Sequence, residues 1–224
     1  MIKLRVKSGL FQFHLNSAAR FAFACGKIED DEKHLEWPQP RWEEARSNAL
    51  AAVVLAAASL ESSVNEFYQQ SLDRDHKALK PLSETQMKVL AELWPDIERI
   101  SPVRKYQVAL LALGYEPMVR GEEPYRSADG LMRLRNALMH FRPEWDDYLK
   151  HHQSLEHRLF QLFPVSALAE RAKGQMVWFP FKCLGKGCAE WAIESAVRFS
   201  QSFASTLGIR ERLKYPELSR LMIQ

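Results

Sequence analysis

The sequence predicts an all-α fold, an antiparallel helical bundle with helical extensions at its N- and C-terminal ends. Three observations carry that prediction. Apolar residues recur at three- and four-residue steps along most of the chain. Helix start and stop signals punctuate those stretches at short intervals. With 46% hydrophobic residues among 224, the chain also has enough apolar surface for a sizeable core.

The elements follow in order. Ile2, Leu4 and Val6 alternate, which leaves a short strand open there. Phe11, Leu15, Ala18, Ala22 and Cys25 form one helical stripe, with Gly26 as its expected stop. The acidic stretch 29–32 and Trp37-Pro38-Gln39-Pro40 read as a linker. A long helix is expected over 41–71, its inner face traced by Ala45, Ala49, Ala52, Ala56, Leu60, Val64 and Phe67. So many alanines imply close neighbouring helices. Ser83 with Gln86 makes a capping box for a helix expected to end near Trp94-Pro95. Ser101-Pro102 opens the next helix and Gly114 ends it. Ser127 or Asp129 is the expected cap of a helix that Pro143 closes, after which helix resumes through Leu162. Residues 174–187 are the least helical, and a last helix is expected from Cys188 to Leu207, before Gly208. The resulting organisation is an extension and linker over 1–40, a helical core over 41–163, and a C-terminal extension over 164–224 that packs on the core.

Composition narrows the function classes. Three cysteines are too few and too odd for a disulfide framework, and they fit a reducing compartment. The opening residues lack the apolar run of a signal peptide. The most apolar stretch, 49–58, is shorter than the about 20 residues that a membrane span needs. The expectation is a cytoplasmic protein with no membrane partner. Lys and Arg exceed Asp and Glu by three, a balance that fits an RNA partner without demanding one.

The chemistry concentrates in Arg135-Asn136-Ala137-Leu138-Met139-His140. At roughly 100° per residue, Leu131, Leu134, Leu138 and Phe141 form a core stripe, and Arg135 lies at its edge. Asn136 and His140, four apart, share a face, whereas Arg135 and His140 diverge by roughly 140° on a straight helix. Closing both around one phosphate takes either a second copy in a dimer or a distorted helix end. An imidazole with an ordinary pKa of about 6.5 can take or give a proton near neutrality. A guanidinium offers a fixed fork of donors to phosphate oxygens, and Asn can orient the imidazole or the substrate.

This motif resembles that of the HEPN superfamily, in which an Arg is followed after four to six residues by a His, often with a polar residue directly after the Arg. Here those positions are Arg135, Asn136 and His140. The apolar pattern around them and the stretch from Leu60 to Phe67 in the preceding long helix are also similar to the family's. The specific match covers about a dozen residues, and a looser helical likeness covers 41–163. The resemblance implies a metal-independent endoribonuclease, without cofactor and commonly a homodimer, in a toxin–antitoxin, phage-defence or RNA-processing setting. A cognate antitoxin protein is then a partner to expect. It implies His140 as the proton-transfer group, Arg135 as the stabiliser of phosphoryl charge, and Asn136 as the positioning group. Other members of the superfamily have lost catalysis and serve as binding modules. Arg142 stands two residues after His140, where some toxin members carry a modifiable Tyr.

Further residues support this reading. Glu61 and Asn65 share a face and can reach Arg135, with Glu61 as counter-charge. From 126 to 142 four arginines stand against one acid, a net +3, so Arg133 and Arg142 are candidate phosphate contacts. His151, His152 and His157 resemble a metal cluster, but the adjacent pair points apart on a helix and no acidic ligand joins them, so no metal is assigned. Trp178, Phe179, Phe181, Trp191, Phe199 and Phe203 are read as core aromatics rather than base-stacking platforms.

Overall fold

The alanine-rich stripe after residue 41 sets the architecture. In the computed structural model, which describes residues 9–145, 150–171 and 176–216, that stripe belongs to α2 (Trp42–Leu72). Ala45, Ala49, Ala52 and Ala56 are buried along it. Small side chains let α1 (Phe11–Glu32) lie close along α2, with Ala18, Ala19 and Ala22 of α1 also buried. The last helix of the bundle, Lys186–Leu207, packs on both. Around α2 stand α3 (Glu84–Ile97), α4 (Pro102–Ala112) and α5 (Tyr125–Met139), with α6 (Lys150–Leu159) against α5; the last helix is α7. No strand occurs among the described residues.

The core centres on Tyr106 of α4. Its hydroxyl donates to the Leu60 carbonyl at 3.0 Å, and its ring meets Phe203 at 4.8 Å and Phe199 at 5.1 Å in edge-to-face contacts. Such pairs add roughly 0.5–1.5 kcal/mol each beyond area burial. One apolar cluster spans α1 through α7, so the segments expected as extensions share the core of residues 41–163. α2 is long and apolar enough to cross a bilayer, and it lies among α1, α3, α4, α5 and α7.

Several expected boundaries move, each for a physical reason. Gly26 does not stop α1, which runs on to Glu32; the Lys186 stem fills the space over Gly26. The acids after it are no linker. Glu29 and Glu32 are buried, and their carboxylates accept the backbone N–H groups of Lys186 and Arg41. Ser83 and Gln86 do form the capping box of α3, but Pro95 sits inside that helix, which continues to Ile97. A proline so close to the end removes one backbone bond and leaves the last turn intact. α5 starts at Tyr125, before Ser127 and Asp129, and ends at Met139, before Pro143. α6 ends at Leu159 rather than Leu162. Gly208, in the left-handed region at φ 65°, terminates α7. The alternating Ile2, Leu4 and Val6 lie outside the described residues, as does Gly174.

Two close approaches fix α6 against α5. A Cβ on Gly130 would lie 3.0 Å from Leu159 Cδ2 and 3.2 Å from Leu162 Cδ1, so the glycine lets the end of α6 approach closely there. At the other end Phe141, just past α5, stacks on His152 in the first turn of α6, with ring centroids 5.5 Å apart. The two helices therefore run antiparallel.

Candidate active site

α5 presents two sets of side chains. Ala128, Leu131 and Leu134 are buried toward the bundle. Arg133, Asn136, Ala137 and His140, at the i, i+3, i+4 and i+7 spacing, face α6. His140 is the residue on which the helix ends. Its N–H still bonds to the Asn136 carbonyl at 2.9 Å, but its backbone has left helical values, with φ −116° and ψ 45°. The chain then turns, so Phe141 is 46% exposed and covers His152 instead of extending the core stripe.

Between α5 and α6 lies a groove of about 380 Å³. α5 and the turn after it contribute Arg133, Asn136, His140 and Arg142. α6 contributes His151, His152, Ser154, Leu155 and Arg158, and Phe179 lies at its side. Among the described residues, three arginines line this groove and no carboxylate does. Arg133 is paired with Asp129 at 2.6 Å, whereas Arg142 and Arg158 have no ion pair among the described residues. The described lining therefore carries net positive charge, suited to phosphate.

Glu144 sets the far corner. Its two carboxylate oxygens accept the backbone N–H groups of His151 and His152, each at 3.0 Å, which caps the start of α6. Burial works against its charge, but these two N–H groups and the neighbouring imidazoles hold its carboxyl below the usual glutamate range. His152 is buried, its Nε2 3.0 Å from the Arg142 carbonyl and its ring edge-on to Phe179. This pairing ties the turn that carries Arg142 to α6.

Arg135 lies outside the groove lining. Its Nη2 donates to Glu61 Oε2 at 2.6 Å, and its Nη1 donates to Asn136 Oδ1 at 3.0 Å. The five-residue separation from His140 turns it toward α2, where the Glu61 carboxylate holds it. Asn136 thus links the ion pair to the groove. Asn65 takes another partner: its Oδ1 accepts from Lys105 Nζ at 2.7 Å. Lys105 is buried, which lowers its pKa while Glu61 and Glu98 oppose the shift, and it needs that acceptor.

No protein-family model, curated protein or solved structure matches the chain. The groove itself must supply the functional reading. Of the residues singled out from sequence, Asn136, His140, Arg133 and Arg142 come together, while Arg135 and Glu61 form the adjoining pair. His151, Ser154 and Arg158 escaped sequence reasoning as groove residues, and so did Glu144 as the cap of α6. A signal was present: His151, Ser154, Leu155 and Arg158 repeat the i, i+3, i+4 and i+7 spacing that marks one helix face. Trp178, Phe179, Trp191, Phe199 and Phe203 are buried, and only Phe179 of these touches the groove.

Proposed function

We propose that this chain is a metal-independent endoribonuclease of the kind its Arg135–His140 motif resembles. The observation that supports it is the shared groove, in which Asn136 and the exposed His140 stand with Arg133, Arg142 and Arg158 and, among the described residues, no carboxylate. His140 takes the proton from a ribose 2′-hydroxyl, whose oxygen attacks the adjacent phosphorus while the bond to the 5′-oxygen breaks. The products are a 2′,3′-cyclic phosphate and a 5′-hydroxyl. The arginines hold the phosphate and stabilise the charge that grows on its non-bridging oxygens. Asn136 orients the imidazole or the phosphate, and Arg135 acts through Asn136 as a positioning residue. The test is cleavage of a labelled RNA with excess chelator present. Wild type cuts, and His140→Ala loses activity by roughly 10²–10⁴-fold. Equal cutting by both proteins removes the assignment.

One observation favours a second reading, a non-catalytic module that binds RNA or another polyphosphate. Glu61 already engages the Arg135 guanidinium, so the cation that the motif supplies for chemistry is neutralised. That reading predicts groove-dependent RNA binding with no cleavage at any pH.

A further inference from the structure

Attack by a 2′-oxygen proceeds in line, with the nucleophile and the leaving 5′-oxygen on opposite sides of phosphorus. The base and the acid must therefore stand on opposite sides of the phosphate. One helix face cannot easily supply both, but a groove between two helices can. His140 ends α5, and His151 lies in the first turn of α6, on the opposite wall. Because the helices are antiparallel, with Phe141 beside His152 and Gly130 beside Leu159, the two histidines sit at the same end of the groove.

The neighbouring histidines are otherwise committed. His152 also borders the groove, but its ring is buried between Phe141 and Phe179 with Nε2 on the Arg142 carbonyl. His157 is exposed and does not line the groove. His151 is exposed, its imidazole has no hydrogen bond among the described residues, and its backbone is fixed by Glu144. A free imidazole on an anchored backbone, facing a second imidazole across a cationic groove, is the arrangement that a two-histidine proton transfer requires.

We infer that His151 is the general acid of the reaction proposed above, opposite His140. The inference rests on that reading. His140 accepts the 2′-hydroxyl proton as the 2′-oxygen bonds to phosphorus. The P–O5′ bond breaks, and protonated His151 gives its proton to the departing 5′-oxygen. Both histidines then exchange protons with water, and no oxidant, reductant or metal enters the balance. Arg158, one face-repeat further along α6, supports the phosphate from the same wall.

The experiment uses the full chain and two ribo-oligonucleotides, each with a single cleavable ribose linkage. One linkage is all-oxygen; in the other, sulfur replaces the 5′-bridging oxygen, so the leaving group departs as a thiolate without needing a proton. His151→Gln lowers cleavage of the oxygen linkage by roughly 10²–10⁴-fold and leaves most activity on the sulfur linkage. His140→Gln lowers both, and His157→Gln lowers neither. If His151→Gln slows both linkages alike, or slows neither, while His140→Gln is inactive, the acid is elsewhere and the ribonuclease reading survives. If wild type cuts neither linkage, that reading and this inference fall together.

Discussion

Arg135 and Glu61, 74 positions apart in sequence, meet at 2.6 Å where α5 crosses α2. The guanidinium is the less exposed partner, so removing the carboxylate leaves a half-buried cation short of an acceptor. Glu61→Ala is expected to cost about 1 kcal/mol, the range of partly exposed ion pairs. Chemical denaturation of the two single variants and the double variant checks it. The double variant should be more stable than the sum of the two losses implies; strict additivity means that the pair contributes nothing.

The unpaired arginines of the groove make a binding prediction that holds with or without catalysis. Arg142→Gln and Arg158→Gln should each weaken binding of a fluorescent single-stranded RNA. Each should also reduce the slope of log affinity against log salt by about 0.7. Arg198→Gln, an exposed change on α7 with its own partner Glu194, should leave the slope alone. Anisotropy titrations at several salt concentrations decide; identical slopes for wild type and both groove variants exclude this face as the phosphate contact.

Glu144 predicts a pH dependence. Its folded-state pKa lies below the ordinary 4.5, so its contribution to stability is present above that value and is lost as pH falls through the lower folded value. Melting temperatures of wild type and Glu144→Gln should differ near neutrality and converge as the pH drops well below 4.5. An offset that stays constant down to the acid limit contradicts the assignment of Glu144 as an ionised cap of α6.

The thiols should be silent in the native protein. Cys25, Cys183 and Cys188 are free and buried, and burial pushes Cys25 up to about 12, with Cys183 and Cys188 also raised. Thiolate is the reactive form. A colourimetric thiol reagent at mildly alkaline pH should label none rapidly in the folded state and all three in denaturant. Fast labelling of a folded thiol points to an opening of the α1–α7 seam.

Much of this molecule was legible in its sequence, and the failures have identifiable causes. The α2 stripe, the Ser83 capping box and the Gly208 stop depend on local spacing, and local spacing is what a sequence displays. The divergence of Arg135 from His140 follows from helix geometry alone. By contrast, Gly26 looks like a terminator until Lys186, 160 positions later, fills the space above it. Glu29 looks solvated until Ser166 and the start of α7 bring it donors. The same holds at the groove. The three histidines of α6 suggest metal ligands when taken alone, and the face repeat that begins at His151 has no meaning without a second wall. Nothing local to Arg158 announces that α5 lies opposite.

Gly130 lies roughly 15 Å along α5 from His140, where Leu159 and Leu162 come close to the helix backbone. A methyl group there crowds the tips of Leu159 and Leu162 and changes no side chain that lines the groove. Side-chain size at position 130 thus bears on how closely α5 and the end of α6 pack, from a position outside the groove lining.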